Sequence, residues 1–142
     1  MRATDRKTGN TTNALFRAKI AEKTHGRCIY CGDSLGEKFH LDHFLAKSKG
    51  GIATLANTMP ACRECNMSKG DKGIEAWRIA RARARLREEL GMPLFGKQHR
   101  DYLEKIGVYL YADIKLEPFW FEISGIQIDV ANDNSPSLEI AA

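Results

Sequence analysis

The chain has 142 residues, 43% hydrophobic and 28% charged, which is the size and balance of one globular domain with modest extensions. No apolar run approaches the roughly 20 residues that a membrane-spanning helix needs. The polar, basic stretch from Met1 to Asn13 has no apolar segment behind it, so the sequence predicts neither a membrane span nor a secretory signal, and a reducing, cytoplasmic setting is the default. The formal charge of +4 is uneven, with 21 Lys/Arg against 12 Asp/Glu in residues 1–106 and one against six in residues 107–142. That distribution suits a polyanion partner, or is ordinary surface charge.

Residues 1–12 read as unstructured. Asn13 is placed to cap a helix running to about Thr24, with Ala14, Leu15, Ala18 and Ala21 or Glu22 at helical spacing and His25-Gly26 ending it. Cys28-Ile29-Tyr30-Cys31-Gly32 reads as a tight knuckle. Phe39 and Leu41 alternate with His40 and Asp42, as in a short strand. Lys49-Gly50-Gly51 is a turn, and Ile52 to Met59 crosses a loop to a second knuckle, Cys62 to Asn66, which leads into a helix.

Residues 74–90 form the clearest helix, with Ile79, Ala82, Leu86 and Leu90 on one face and Gly91 and Pro93 as stops. Arg78, Arg81 and Arg85 make a stripe on its surface, either a phosphate-binding strip or a solvated face. Trp77 reads as core. Lys97 to Ile106 predicts another helix. The aromatic and β-branched stretch from Val108 to Ile128 predicts strands that cover the core, and residues 131–142 a loose tail.

The four cysteines fall in two Cys-x-x-Cys pairs, Cys28/Cys31 and Cys62/Cys65. In a reducing compartment this spacing reads as metal binding before disulfide bonding. A tight turn aims both sulfurs of a pair at one ion, and four thiolates complete the tetrahedron that zinc prefers. Such a metal has no open position and is structural. His25, three residues before Cys28, is an alternative ligand or a plain loop histidine. Redox dithiols are the other reading.

Between the knuckles stand Asp42-His43, the Gly50-Gly51 turn and Asn57, and Asn66 follows the second knuckle directly, with Lys69 one turn on. In this order the residues resemble the HNH nuclease family, in its four-cysteine subclass, over roughly residues 15–72. The resemblance implies a small α+β fold, a ββα-metal core stapled by the four-cysteine zinc, with flanking helices. It implies that Asn57 holds the connecting loop and orients the catalytic histidine, and that a bend after the strand lets Asp42 and His43 converge on one phosphate. The family's last His is Asn here, at Asn66, which keeps an oxygen ligand and favours Mg²⁺ or Mn²⁺ over softer metals.

The residue chemistry agrees with that implication. An imidazole can take a proton from water near neutral pH, the role open to His43. Asp42 and Asn66 offer a carboxylate and an amide oxygen to one hard divalent ion, leaving its other positions to water and phosphate. Lys69, Lys47, Lys49 and the Arg78, Arg81, Arg85 stripe are the candidate phosphate contacts. The expected organisation is residues 13–73 as nuclease core, 74–130 as accessory helices and strands, and 131–142 as tail. The expected partner is DNA, with RNA open, and no membrane, from a monomer or homodimer cutting one strand per visit. The competing functions are a zinc-ribbon-like module that binds nucleic acid without cutting it, and a zinc-stapled protein-interaction module. Neither needs Asp42, His43 and Asn66 together.

Overall fold

The computed structural model describes residues 14–112, 114–128 and 130. The proposed Asn13 cap, the N-terminal stretch and the 131–142 tail lie outside them. In chain order the elements are a helix over residues 14–22 (α1), β1 (His40–His43), a short 3-10 turn (Lys47–Lys49), β2 (Thr58–Ala61), α2 (Arg63–Lys69), α3 (Ile74–Leu90), α4 (Lys97–Lys105) and α5 (Trp120–Ser124). No helix among the described residues is long and apolar enough to cross a membrane. The described residues form two compact units, one up to Ile74 together with those from Pro118 onward, the other Glu75–Glu117.

In the first unit β1 and β2 pair antiparallel, with His40 opposite Ala61, Asp42 opposite Met59 and His43 opposite Thr58. All of β2 is buried, while β1 keeps His40 exposed. The helix α1 buries Phe16 and Ile20, one turn apart, and leaves Leu15 exposed. This corrects the expected face, which lies on the opposite side of the helix: the two bulky side chains at i, i+4 spacing remove more apolar area from water than the alanines of that face. Arg17 of α1 stacks 4.1 Å from the Phe39 ring and donates to the Phe39 carbonyl at 2.8 Å, fixing the chain as it enters β1. Both His25 and Gly26 take positive φ, and Gly26 N–H closes the helix on Ala21 O at 2.9 Å.

The chain from Val108 to Ile128 forms no strand among its described residues. Residues from Pro118 instead return to the first unit, where Trp120 N–H donates to Tyr30 O at 2.9 Å and Phe121 N–H to Ile29 O at 3.1 Å. Phe119 and Phe121 are buried against Tyr30 and Phe44 at ring separations of 5.9 and 5.8 Å. Of the described residues of the aromatic and β-branched stretch only Phe119 and Phe121 are buried, by one helical turn and its flank rather than by a sheet, while Val108, Tyr109 and Ile123 are exposed. Gly32 is required here, since a Cβ would meet the Trp120 ring at 2.4 Å.

In the second unit Trp77 and Ala82 are the buried residues of α3, whereas Leu90 is exposed. The expected apolar face therefore fades toward the helix C-terminus. The helix α4 buries none of its residues.

Candidate nuclease site and metal centre

The first knuckle is a compact turn in which Gly32 N–H donates to Cys28 O at 2.9 Å and Cys28 N–H to Asp33 O at 2.8 Å. The second knuckle is the start of α2, with Cys62 as N-cap and its sulfur accepting from Cys65 N–H at 3.4 Å. The Ile29 N–H bond to Pro60 O, 2.9 Å, ties the two knuckles across the sheet. As a result the sulfurs of Cys28, Cys31, Cys62 and Cys65 lie within 4.8 Å of one another, with Cys31 and Cys62 at 3.9 Å. A tetrahedral ion with metal–sulfur bonds of about 2.3 Å needs sulfurs about 3.8 Å apart, so the set is positioned to bind a metal ion. The sulfurs also interact strongly. A hydrogen bond from Cys65 draws the Cys28 thiol down to about 4, burial pushes Cys31 up to about 12, and bonding to Cys28 raises Cys65 far above its ordinary value. A divalent cation is what lets such a cluster carry more than one thiolate.

Asp42 and His43 close β1, and α2 packs against that strand. Asp42, His43 and Asn66 line one cleft of about 390 Å³, together with Leu41, Lys47 and Asp71. The Asn66 amide nitrogen lies 3.3 Å from His40 Nδ1, which turns its oxygen the other way. Asp42 is buried; the Tyr30 hydroxyl donates to its Oδ2 at 2.5 Å, and Lys69 Nζ lies 3.3 Å from the same oxygen. Burial pushes the Asp42 carboxyl above its ordinary value, and the Tyr30 hydroxyl and the Lys69 ammonium pull against that shift. Burial likewise raises the Tyr30 phenol, with the Asp42 charge adding to it.

Asn57 lies in the loop rather than in the cleft. Its Oδ1 accepts from Leu45 N–H at 2.8 Å, and its Nδ2 donates to Leu45 O at 3.1 Å and Ile52 O at 2.9 Å. One buried amide therefore closes the 44–57 loop that follows His43. Gly51 completes the turn, since a Cβ there would stand 1.8 Å from Leu45 O.

One expected phosphate contact is corrected. Lys69 has no exposed surface, and its ammonium is held by Asp42 and by His43 O at 2.9 Å, so it is an internal cation and not a phosphate ligand. The arginine stripe is engaged within its own unit. Arg78 forks onto Glu75 at 2.9 and 3.0 Å and donates to Glu117 O at 3.1 Å, Arg85 pairs with Glu117 at 3.2 Å, and Arg81 lies 5.3 Å from the Trp77 ring. Lys47 and Lys49 remain exposed, Lys47 on the wall of the cleft. Sequence reasoning missed Tyr30 as a neighbour of the site, because it reaches Asp42 from the first knuckle.

A buried pair loses most when one partner is removed, because the other charge is stranded. Lys69→Met is expected to lower unfolding stability by about 3–5 kcal/mol in denaturant titrations. Adding Asp42→Asn to it should recover a large part of that loss, whereas additive losses from the two changes would show the pair to be uncoupled.

Two antiparallel strands and a helix, with Asp-His at the end of the first strand and Asn in the helix, define a small α+β unit of the ββα-metal type. Residues 28–72 match the family model described as HNH endonuclease. Among solved structures the chain is similar to the Type II-C Cas9 enzyme from Actinomyces naeslundii, with 27% identity, a TM-score of 0.42, and coverage of 46% of this chain and 7% of that one. This chain thus corresponds to a small fraction of that protein's length. No curated protein matches it.

Proposed function

We propose that this protein is a divalent-metal-dependent endonuclease that hydrolyses DNA and nicks one strand per visit. The observation that carries the reading is the single cleft lined by Asp42, His43 and Asn66. In this reading the His43 imidazole takes the proton from the attacking water. Asp42 and Asn66 hold a hard ion such as Mg²⁺ or Mn²⁺, for which carboxylate and amide oxygens are suitable donors. When bound, that ion supplies charge stabilisation to the phosphate and to the departing oxygen. Asn57 keeps the loop after His43 in place, and Lys47 and Lys49 receive backbone phosphates, so affinity should fall with salt. The cysteine centre holds zinc. Four thiolates leave zinc no position for water, so its contribution is to the scaffold.

The test is a supercoiled plasmid incubated with the purified chain, with and without added Mg²⁺ or Mn²⁺. Conversion to the open-circular form only with the added ion is expected. Plasmid retained on the protein but never cut under any of these conditions would leave a zinc-ribbon-like binding module as the function.

A further inference from the structure

Asp42 is a buried carboxylate with two donors on one oxygen. The Tyr30 hydroxyl and the Lys69 ammonium both reach Oδ2, at 2.5 and 3.3 Å. Neither donor can easily move away. Tyr30 is 1% exposed, with its ring 6.4 Å from Phe44 and 5.9 Å from Phe119, and its carbonyl accepts from Trp120 N–H. Lys69, in the last turn of α2, is also held by His43 O. The lysine therefore ties together the carboxylate of Asp42 and the main chain of His43.

We infer that Tyr30 and Lys69 are positioning residues that clamp Oδ2 of Asp42 and so present its other oxygen, Oδ1, to a divalent ion in the cleft. The inference rests on the reading of Asp42 as an ion ligand. A carboxylate free to rotate offers either oxygen or both; one whose Oδ2 is bound by two fixed donors offers a single oxygen in a fixed direction. Mg²⁺-like ions demand near-octahedral geometry, so that direction matters to affinity. Partners that fix a metal ligand from behind contribute on the order of 10–100-fold in affinity or activity. The clamp also gives the C-terminal segment a part in the site: Phe119 packs on Tyr30, which reaches Asp42.

The experiment uses the full zinc-loaded chain without DNA and reads Mn²⁺ binding by electron paramagnetic resonance, comparing wild type, Asp42→Asn and Tyr30→Phe. Tyr30→Phe keeps the ring in its aromatic pocket and removes only the hydroxyl. The expected result is that wild type binds Mn²⁺, Asp42→Asn loses it, and Tyr30→Phe binds about 10–100-fold more weakly at unchanged zinc content. Tyr30→Phe with wild-type affinity would overturn the clamp while leaving the ion site standing. Wild type and Asp42→Asn binding Mn²⁺ equally poorly would remove the ion-site reading, and the clamp with it. A second measurement does not depend on any variant folding. The Tyr30 hydroxyl proton should give a slowly exchanging, downfield NMR signal in wild type that persists when Mg²⁺ is added. Absence of that signal, or its loss on adding Mg²⁺, would also overturn the clamp.

Discussion

Stripping the metal from the cysteine centre, or replacing Cys62 by serine, is expected to unfold the core of the first unit. Structural zinc sites hold their ion with an apparent free energy of about 10–16 kcal/mol near neutral pH, and that binding energy is folding energy. A domain of this size is stable by only about 5–15 kcal/mol in all. The ion term is therefore as large as the whole margin. The geometry explains why no other contact would substitute. The sheet is only two strands of four residues each. The knuckles meet at its end, and Cys62 both belongs to the sulfur cluster and caps α2, the helix carrying Asn66 and Lys69. Without the ion the sulfur cluster, drawn within 4.8 Å, becomes a source of repulsion for any second thiolate. Far-UV circular dichroism and bound-zinc analysis during chelation should show helix and metal lost together, and added Zn²⁺ should restore both. A chelated chain that kept its dichroism and still melted cooperatively would show that the ion is not what holds the core.

The pieces of the site that the sequence disclosed are those set by local spacing. Two Cys-x-x-Cys turns can only aim sulfurs inward at short range, so the cluster of Cys28, Cys31, Cys62 and Cys65 follows from the spacing once the strands pair. Asp42, His43 and Asn66 were legible as a group through the resemblance to the HNH nuclease pattern, and the structure brings all three to one cleft. Burial and long-range pairing were not legible in the same way. Lys69 looks like any lysine one turn past a ligand. Only the fold shows that its ammonium has no exposed surface and is taken up by Asp42 and His43 O. The arginines of α3 read as a stripe because helical spacing is local, but Glu117, which engages Arg78 and Arg85, lies 39 residues beyond the first of them. Phe119 and Phe121 lie in a stretch whose pattern announced burial, but their partners are in the first knuckle and at Phe44, and hydrophobic patterning cannot name a partner at that separation. The error over the buried face of α1 has a simpler origin, since alanines at helical spacing mark a helix but commit little area to a core.

Loss of the imidazole at position 43 is the sharper test of the chemistry, because it should leave the scaffold intact. His43 is tied to α2 through its carbonyl, on which Lys69 donates, and that contact is indifferent to the side chain. Its ring takes no part in the hydrogen bonds that hold β1 to β2. His43→Ala should therefore keep its zinc, its melting temperature and its affinity for plasmid, while the nicking rate falls by about 10²–10⁴-fold, the usual contribution of a positioned general base. The cavity created lies in an open cleft, so free imidazole can enter it, and partial recovery of nicking with added imidazole is expected. Recovery would identify proton transfer as the function lost, since a small base cannot repair a misfolded loop. A His43→Ala chain that nicks plasmid at the wild-type rate would move the base elsewhere in the cleft. It would also free Asp42, Asn66 and their ion to activate water without help from a side chain.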